Sequence, residues 1–144
     1  MKRSILFSLL MAGVLYAADT NECAFMNAAT ATGILGHAVE KKTAAPDSCE
    51  FVAASRDVLR IEVKAAGSSR VACGSHAQPL KGIGNEAFAC EAKASSGERT
   101  ERVSGRVRDR AFVITLTASD ASVTEDSLLA NAKRAAEQVA GNLF

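Results

Sequence analysis

Five arginines lie close together in this sequence and are its most suggestive chemical feature: Arg99, Arg102, Arg106, Arg108 and Arg110. Side chains alternate between the two faces of a strand, so an unbroken strand would place the four even-numbered arginines on one face. Guanidinium groups bind carboxylates and phosphates through paired hydrogen bonds. The stretch therefore predicts either a solvated, ion-paired strand face or a shallow surface for an acidic glycan, a lipid headgroup or a partner protein. In the second case Arg102, Arg106, Arg108 and Arg110 would bind the ligand.

A second candidate chemistry involves Ser75, His76 and Glu86, a hydroxyl, an imidazole and a carboxylate. Adjacent residues such as Ser75 and His76 do not face each other productively, and no G-x-S-x-G elbow is present. The other histidine, His37, follows a helix-ending glycine and is expected in an exposed loop. We therefore predict no catalytic residue, metal site or cofactor, and keep a small exported hydrolase, or an inhibitor of one, as the alternative function.

Gly82-x-Gly84-x-x-Ala87 matches a loose dinucleotide-binding fingerprint. That fingerprint requires a strand before it and a helix after it. Here Pro79 precedes the motif and a strand-like alternation follows. We interpret the glycines as a tight turn in which the backbone adopts positive φ.

The four cysteines, Cys23, Cys49, Cys73 and Cys90, form no C-x-x-C pair. An even number of cysteines in a small exported domain predicts two disulfides. Four cysteines allow three pairings, and sequence alone does not select one. We favour Cys23–Cys49 with Cys73–Cys90, because each bridge closes a loop between neighbouring elements.

The first residues have the anatomy of a secretory signal peptide. Lys2 and Arg3 precede an apolar stretch at residues 5–15, and the small residue Ala17 suits a cleavage position. About 11 apolar residues are too few to span a bilayer. We expect residues 1–17 to be removed, leaving one exported domain, residues 18–144, without a transmembrane anchor, in the periplasm or outside the cell.

Composition excludes some functional classes. The 144 residues are 48% hydrophobic and 23% charged, which argues against disorder. Without Lys2 and Arg3 the predicted mature chain has 15 basic and 16 acidic residues, a net charge of −1. A nucleic-acid partner is therefore not expected, because such domains are usually strongly basic.

Hydrophobic periodicity predicts the elements that position these residues. Alternation indicates five strands, at residues 49–53, 59–65, 87–93, 102–108 and 112–116. A helix is expected over residues 22–35, ending at Gly36, and another after the capping box Ser122-x-x-Glu125. Residues 43–48 are expected to be a loop, and residues 66–80 a connector with a short helix. The order α-β-β-(connector)-β-β-β-α predicts an α+β two-layer sandwich with an antiparallel sheet.

Three short motifs carry a resemblance to a known class of proteins: Ile34-Leu35-Gly36, Cys49-x-Phe51 and Gly82-x-Gly84-x-Glu86-Ala87. Their order resembles small exported domains of unknown function in bacterial lipoproteins. It is similar, more distantly, to the extracellular sensor domain of a mycobacterial receptor kinase. The resemblance implies two disulfides over an α+β sandwich with a concave, ligand-binding surface, and the 17-residue spacing of Cys73 and Cys90 suits such a bridge.

The sequence departs from the lipoprotein members before Cys23, because Thr20-Asn21-Glu22 is not a lipid-attachment motif. Membrane tethering is therefore not implied, and the class offers no catalytic residues to transfer. The expected function is an exported, non-enzymatic binding domain for an envelope partner or a small anionic ligand.

Overall fold

The chain folds as one antiparallel sheet with a helix near each end. The computed structural model describes residues 22–66, 73, 76–92 and 97–144, so the predicted leader lies outside the described residues. The described part contains two helices and seven strands: α1 (Ala28–Leu35), β1 (Val39–Ala45), β2 (Ser48–Ala53), β3 (Val58–Ala65), β4 (Gln78–Leu80), β5 (Glu86–Ala92), β6 (Arg99–Val107), β7 (Arg110–Ala118) and α2 (Glu125–Leu143). The predicted α+β class and antiparallel sheet are confirmed.

The strand order is β1-β2-β3-β7-β6-β5-β4. Two antiparallel meanders, β1–β3 and β4–β7, are joined where β3 pairs with β7 in the middle of the sheet. The register there places Ile61 opposite Ile114. This arrangement makes β6 an inner strand, with β7 on one side and β5 on the other.

The core lies between the helices and one face of the sheet. Alternate residues of the strands, such as Phe51, Ile61, Val103 and Phe112, are fully buried there. Helix α2 packs on β6 and β7, and α1 packs on β1 to β3 and on α2. The opposite face, turned away from α1 and α2, is called the distal face below; the intervening residues of the same strands project from it.

The prediction of about five strands was too low, because β1 and β4 were not foreseen. Residues 39–45 contain charged and alanine residues without regular alternation, and most of the predicted loop at residues 43–48 continues β1 and opens β2. Strand β4 has three residues and contains Pro79. Short edge strands bearing lysine or proline resist pairing with other chains, and the same features hide them from pattern analysis. The predicted short helix near residues 70–75 falls almost entirely outside the described residues.

Both helices begin later than predicted. Asn27 caps α1, since its side-chain oxygen accepts a hydrogen bond from the Thr30 N–H at 2.8 Å. Gly36 ends α1 with φ 73°, as predicted. Thr124 caps α2 in place of Ser122, because its hydroxyl accepts from the Ser127 N–H at 3.3 Å. An apolar stripe of α2 is buried against the sheet: Leu128, Ala132, Ala135, Ala136, Val139 and Ala140.

Both favoured disulfides are present. Cys23–Cys49 ties the segment before α1 to the core side of β2. Cys73–Cys90 joins the connection between β3 and β4 to β5. Cys90 pairs across strands with Arg102. The second bridge therefore lies beside one of the predicted site residues.

Candidate functional site

The four arginines predicted to share a face are divided between two sides of the molecule. Arg102 and Arg106 lie on β6 and project from the distal face. The chain turns at Arg108, whose φ is 53°, and Arg110 begins β7 opposite Val107. A two-residue hairpin turn pairs even-numbered residues of β6 with odd-numbered residues of β7. Arg110 on β7 therefore lies on the opposite face of the sheet from Arg102 and Arg106 on β6. The prediction of one shared arginine face was therefore wrong.

Arg108 and Arg110 instead contact aromatic rings from the two ends of the described chain. The guanidinium carbon of Arg108 lies 5.8 Å from the ring centre of Phe144. That of Arg110 lies 5.8 Å from the ring centre of Phe25. Cation–π contacts of this length stabilise exposed sites by about 0.5–1 kcal/mol. These two arginines are held by rings within the fold.

Arg106 is paired on the distal face. Its Nε lies 3.3 Å from Oε1 of Glu86, the residue opposite it on β5. Both side chains are about half exposed, at 46% and 54%. An exposed pair of this kind contributes about 0–1 kcal/mol and exchanges readily with solvent or another charge.

A polar row crosses the middle of the distal face from β2 to β5. Cross-strand partners follow one another in the order Glu50, Arg60, Thr115, Arg102 and Cys90. At one end, the Nε and Nη2 atoms of Arg60 donate to Oε2 of Glu50 at 3.0 and 2.5 Å. These hydrogen bonds to a carboxylate raise the pKa of the Arg60 guanidinium above its ordinary value. Arg60 is therefore matched by an acidic partner within the protein.

Arg102, further along the row, differs from these arginines. Its side chain is partly buried, and its Nε is buried with no hydrogen-bond partner among the described residues. Buried polar atoms in folded proteins nearly always have a partner, so a buried donor without an acceptor among the described residues is a candidate contact for a bound group. Of the two arginines in the polar row, Arg60 is bonded to Glu50, whereas the Nε of Arg102 has no acceptor among the described residues.

Hydroxyl groups surround Arg102. Thr115 lies directly opposite on β7, and Thr100 and Ser104 are the next residues of β6 on the same face. Thr100 and Ser104 are buried, and the Thr100 and Thr117 hydroxyls are 3.0 Å apart. We call these residues the Arg102 cluster: Arg102, Thr100, Ser104, Thr115 and Thr117. Neighbours on one sheet face are about 5–8 Å apart, so a small group at Arg102 is within reach of several hydroxyls.

Two residues of the predicted hydrolase alternative, His76 and Glu86, are not brought together. Ser75 lies outside the described residues. His76 is exposed and precedes β4 by two residues, whereas Glu86 begins β5 at the opposite end of the β4–β5 hairpin. His76 and Glu86 are therefore about five residues apart along the strand direction, roughly 16 Å at the usual rise per residue. Glu86 also faces Arg106. Among the described residues, no group of three or more potential metal-binding side chains is present.

A cleft lies on the helix side between α1, α2 and the end of β7. Its volume is about 190 Å³, with Leu35 and Leu116 among its lining residues and His37 and Asp57 at its polar edge. One carboxylate oxygen of Asp57 accepts hydrogen bonds from the Ser119 N–H at 2.8 Å and from its hydroxyl at 3.2 Å. Asp57 therefore joins the β2–β3 turn to the end of β7, which is a structural task that sequence reasoning missed.

The glycine motif is a turn, as predicted. Gly82 and Gly84 have φ values of 80° and 60°, and β5, not a helix, follows them. Next in the chain, Asn85 accepts a hydrogen bond from the Arg108 N–H at 2.6 Å through its side-chain oxygen. The motif thus connects two hairpin turns and leaves no helix N-terminus for a phosphate.

Comparison with known proteins yields no relative. This chain matches no protein-family model, no curated protein and no solved structure.

The sequence pattern pointed to Arg102 but not to the residues around it. Thr115 and Thr117 come from β7, and their proximity follows from the β6–β7 register, which the alternation of either strand does not specify. The two-residue turn was the signal that would have placed these threonines, because it pairs even-numbered residues of β6 with odd-numbered residues of β7. Counting outward from Arg108-Asp109 puts Thr115 opposite Arg102.

Proposed function

We propose that this protein is an exported, non-enzymatic binding domain whose Arg102 cluster receives an anionic group from a small ligand or an envelope partner. The observation that carries the proposal is the buried Arg102 Nε, which has no acceptor among the described residues. Thr115 and Ser104 add hydroxyl donors without negative charge, whereas the Thr100 and Thr117 hydroxyls bond to each other.

Free energy favours an anion at this position. A buried donor without a partner costs about 1–3 kcal/mol. A carboxylate or phosphate oxygen can accept from the Nε edge of a guanidinium and from a neighbouring hydroxyl at once, and charge-assisted hydrogen bonds are the stronger kind. Binding would therefore remove a penalty that the free protein bears.

The charge of the distal face supports the same ligand class. Among the described residues, five cationic side chains project from the distal face: Lys41, Arg60, Lys64, Arg102 and Arg106. Three carboxylates project from the same face: Glu50, Glu62 and Glu86. The excess is two positive charges on a molecule whose predicted mature form has a net charge of −1. A positive face on a nearly neutral protein attracts anions by local complementarity.

Export is supported by the predicted leader and by the two disulfides, since disulfides persist in oxidising compartments such as the periplasm and the extracellular space. In the described part of the chain, none of the helices has the length and hydropathy needed to cross a membrane.

The test is a binding measurement with simple anions. We expect the mature protein to bind inorganic phosphate and citrate. Calorimetry or the shifts of backbone NMR signals measure the affinity. Arg102→Gln should weaken binding at least tenfold, since a lost charge-assisted hydrogen bond is worth about 1.5–3 kcal/mol.

The matched control is Arg106→Gln, on the same strand and face but paired with Glu86. It should change affinity by less than about threefold, in line with an exposed ion pair. Equal affinities of the wild-type and Arg102→Gln proteins, with thermal unfolding showing that both are folded, would refute the proposed site.

A further inference from the structure

An exposed aromatic ring lies beside the Arg102 cluster. Phe88 on β5 is 36% exposed and projects from the distal face opposite Ser104. Of the large apolar side chains that the structure describes, Phe88 and Phe144 are the exposed ones, and Phe144 contacts Arg108. Among the described residues, Phe88 has no cation–π contact like that of Phe144, and its ring faces solvent.

The neighbours of Phe88 combine apolar surface with positive charge. Pro79 lies opposite it on β4, and Cys90, bridged to Cys73, is two residues along β5. Arg102 and Arg106 are two residues to either side of Ser104 on β6, so each lies one diagonal step, about 7–8 Å, from Phe88. The Phe88 ring thus lies between two guanidinium groups: that of Arg102, whose Nε has no hydrogen-bond partner among the described residues, and that of Arg106, which is paired with Glu86.

This combination suits some partners better than others. A single exposed ring is too little apolar surface for insertion into a lipid layer, which requires a continuous apolar face. Strand addition by a peptide is disfavoured because the nearby edge strand, β4, has three residues and contains Pro79. A sugar ring, by contrast, presents C–H groups to an aromatic face and hydroxyls to serine and threonine side chains.

We propose that the anionic group bound by the Arg102 cluster belongs to an acidic saccharide, with the adjoining sugar ring packed on Phe88. This inference rests on the proposed function and names its ligand class. The negative charge is that of a sugar-ring substituent, a uronate carboxylate or a phosphate, placed against Arg102. Phe88 and Pro79 supply the apolar surface beside it.

The experiment compares four ligands on the mature, disulfide-bonded protein: oligogalacturonate, a phosphorylated mannose oligomer, neutral dextran and polyglutamate. We expect the acidic saccharides to bind, dextran to bind poorly and polyglutamate to bind more weakly than the saccharides. Binding of oligogalacturonate alone, or of the phosphorylated oligomer alone, identifies the source of the charge and supports the inference.

Phe88→Ala should weaken saccharide binding roughly tenfold, the loss expected for one aromatic contact with its buried area. It should leave polyglutamate and inorganic phosphate binding within about twofold. Phe144→Ala removes the other exposed phenylalanine and serves as the control, with no change expected in saccharide affinity. Thermal unfolding of each variant checks that the fold is retained.

Failures of the two proposals are distinguishable. If phosphate and polyglutamate bind through Arg102 but Phe88→Ala leaves saccharide affinity unchanged, the saccharide inference is overturned and the anion site stands. If Arg102→Gln affects none of the ligands, the anion site itself is overturned, and the inference falls with it.

Discussion

Gly84 offers the sharpest test of the hairpin that carries Glu86 and Arg106. It has φ 60°, and a Cβ added there would lie 2.5 Å from the backbone oxygen of Arg106 and 3.0 Å from Cγ2 of Val107. An L-residue in this backbone region costs about 1–2 kcal/mol. The overlap with a backbone oxygen adds about 1–3 kcal/mol, as for overpacking elsewhere. Gly84→Ala should therefore lower the free energy of unfolding by about 2–5 kcal/mol.

Gly36→Ala separates the two contributions. Gly36 has φ 73°, yet a Cβ there would meet nothing within 4 Å. Its substitution should cost only the backbone term, about 1–2 kcal/mol. Urea unfolding followed by far-ultraviolet circular dichroism, with the m-value held common, measures both losses. A Gly84→Ala loss equal to or smaller than that of Gly36→Ala would show that the Arg106 carbonyl does not lie against this turn, and the reasoning about the hairpin would fail.

Three further predictions concern stability. Replacing Cys23 and Cys49 together by serine should lower the free energy of unfolding by about 3 kcal/mol, the chain-entropy value for a loop of this length; an unchanged urea midpoint would contradict this. Thr124→Ala should cost about 1 kcal/mol through loss of the α2 cap, whereas Thr124→Ser should cost little in the same assay. Hydrogen bonds from Ser122 hold the pKa of Asp120 below its ordinary value. A lowered pKa stabilises the fold above the ordinary value of 3.8 and the effect fades as pH falls through the folded-state pKa. The melting-temperature advantage of the wild type over Asp120→Asn should therefore be present at pH 6 and disappear in strong acid, and an advantage that persists there would be evidence against the assignment.

Much of the sheet could be predicted from alternation alone. The pattern of Leu59, Ile61 and Val63 specifies a strand with one buried face, and the structure confirms it. The same reasoning missed β1 and β4, because edge strands are partly solvated and bear residues that discourage pairing, such as Lys41 and Pro79. Pattern analysis is informative where burial dictates residue type, and edges are where it does not.

The site was half predictable for a related reason. Charge and spacing selected Arg102 and Arg106, but the assignment of Arg108 and Arg110 to the same face assumed a strand that continued through the turn. Whether the Arg102 Nε meets an acceptor depends on its cross-strand neighbours, Thr115 on β7 and Cys90 on β5. These neighbours are set by the strand register, which is a property of the assembled sheet. No local sequence pattern around Arg102 indicates that its Nε lacks an acceptor among the described residues.

The most direct test of the central claim is the NMR signal of the Arg102 Nε–H group during titration of the mature protein with oligogalacturonate. The signal is assigned by its loss in Arg102→Gln. We predict that it moves downfield and saturates over the same ligand concentrations as the backbone signals of Thr115 and Ser104, as expected for a new hydrogen bond to an anion. An Nε–H signal that stays in place while the protein binds the ligand would contradict the account.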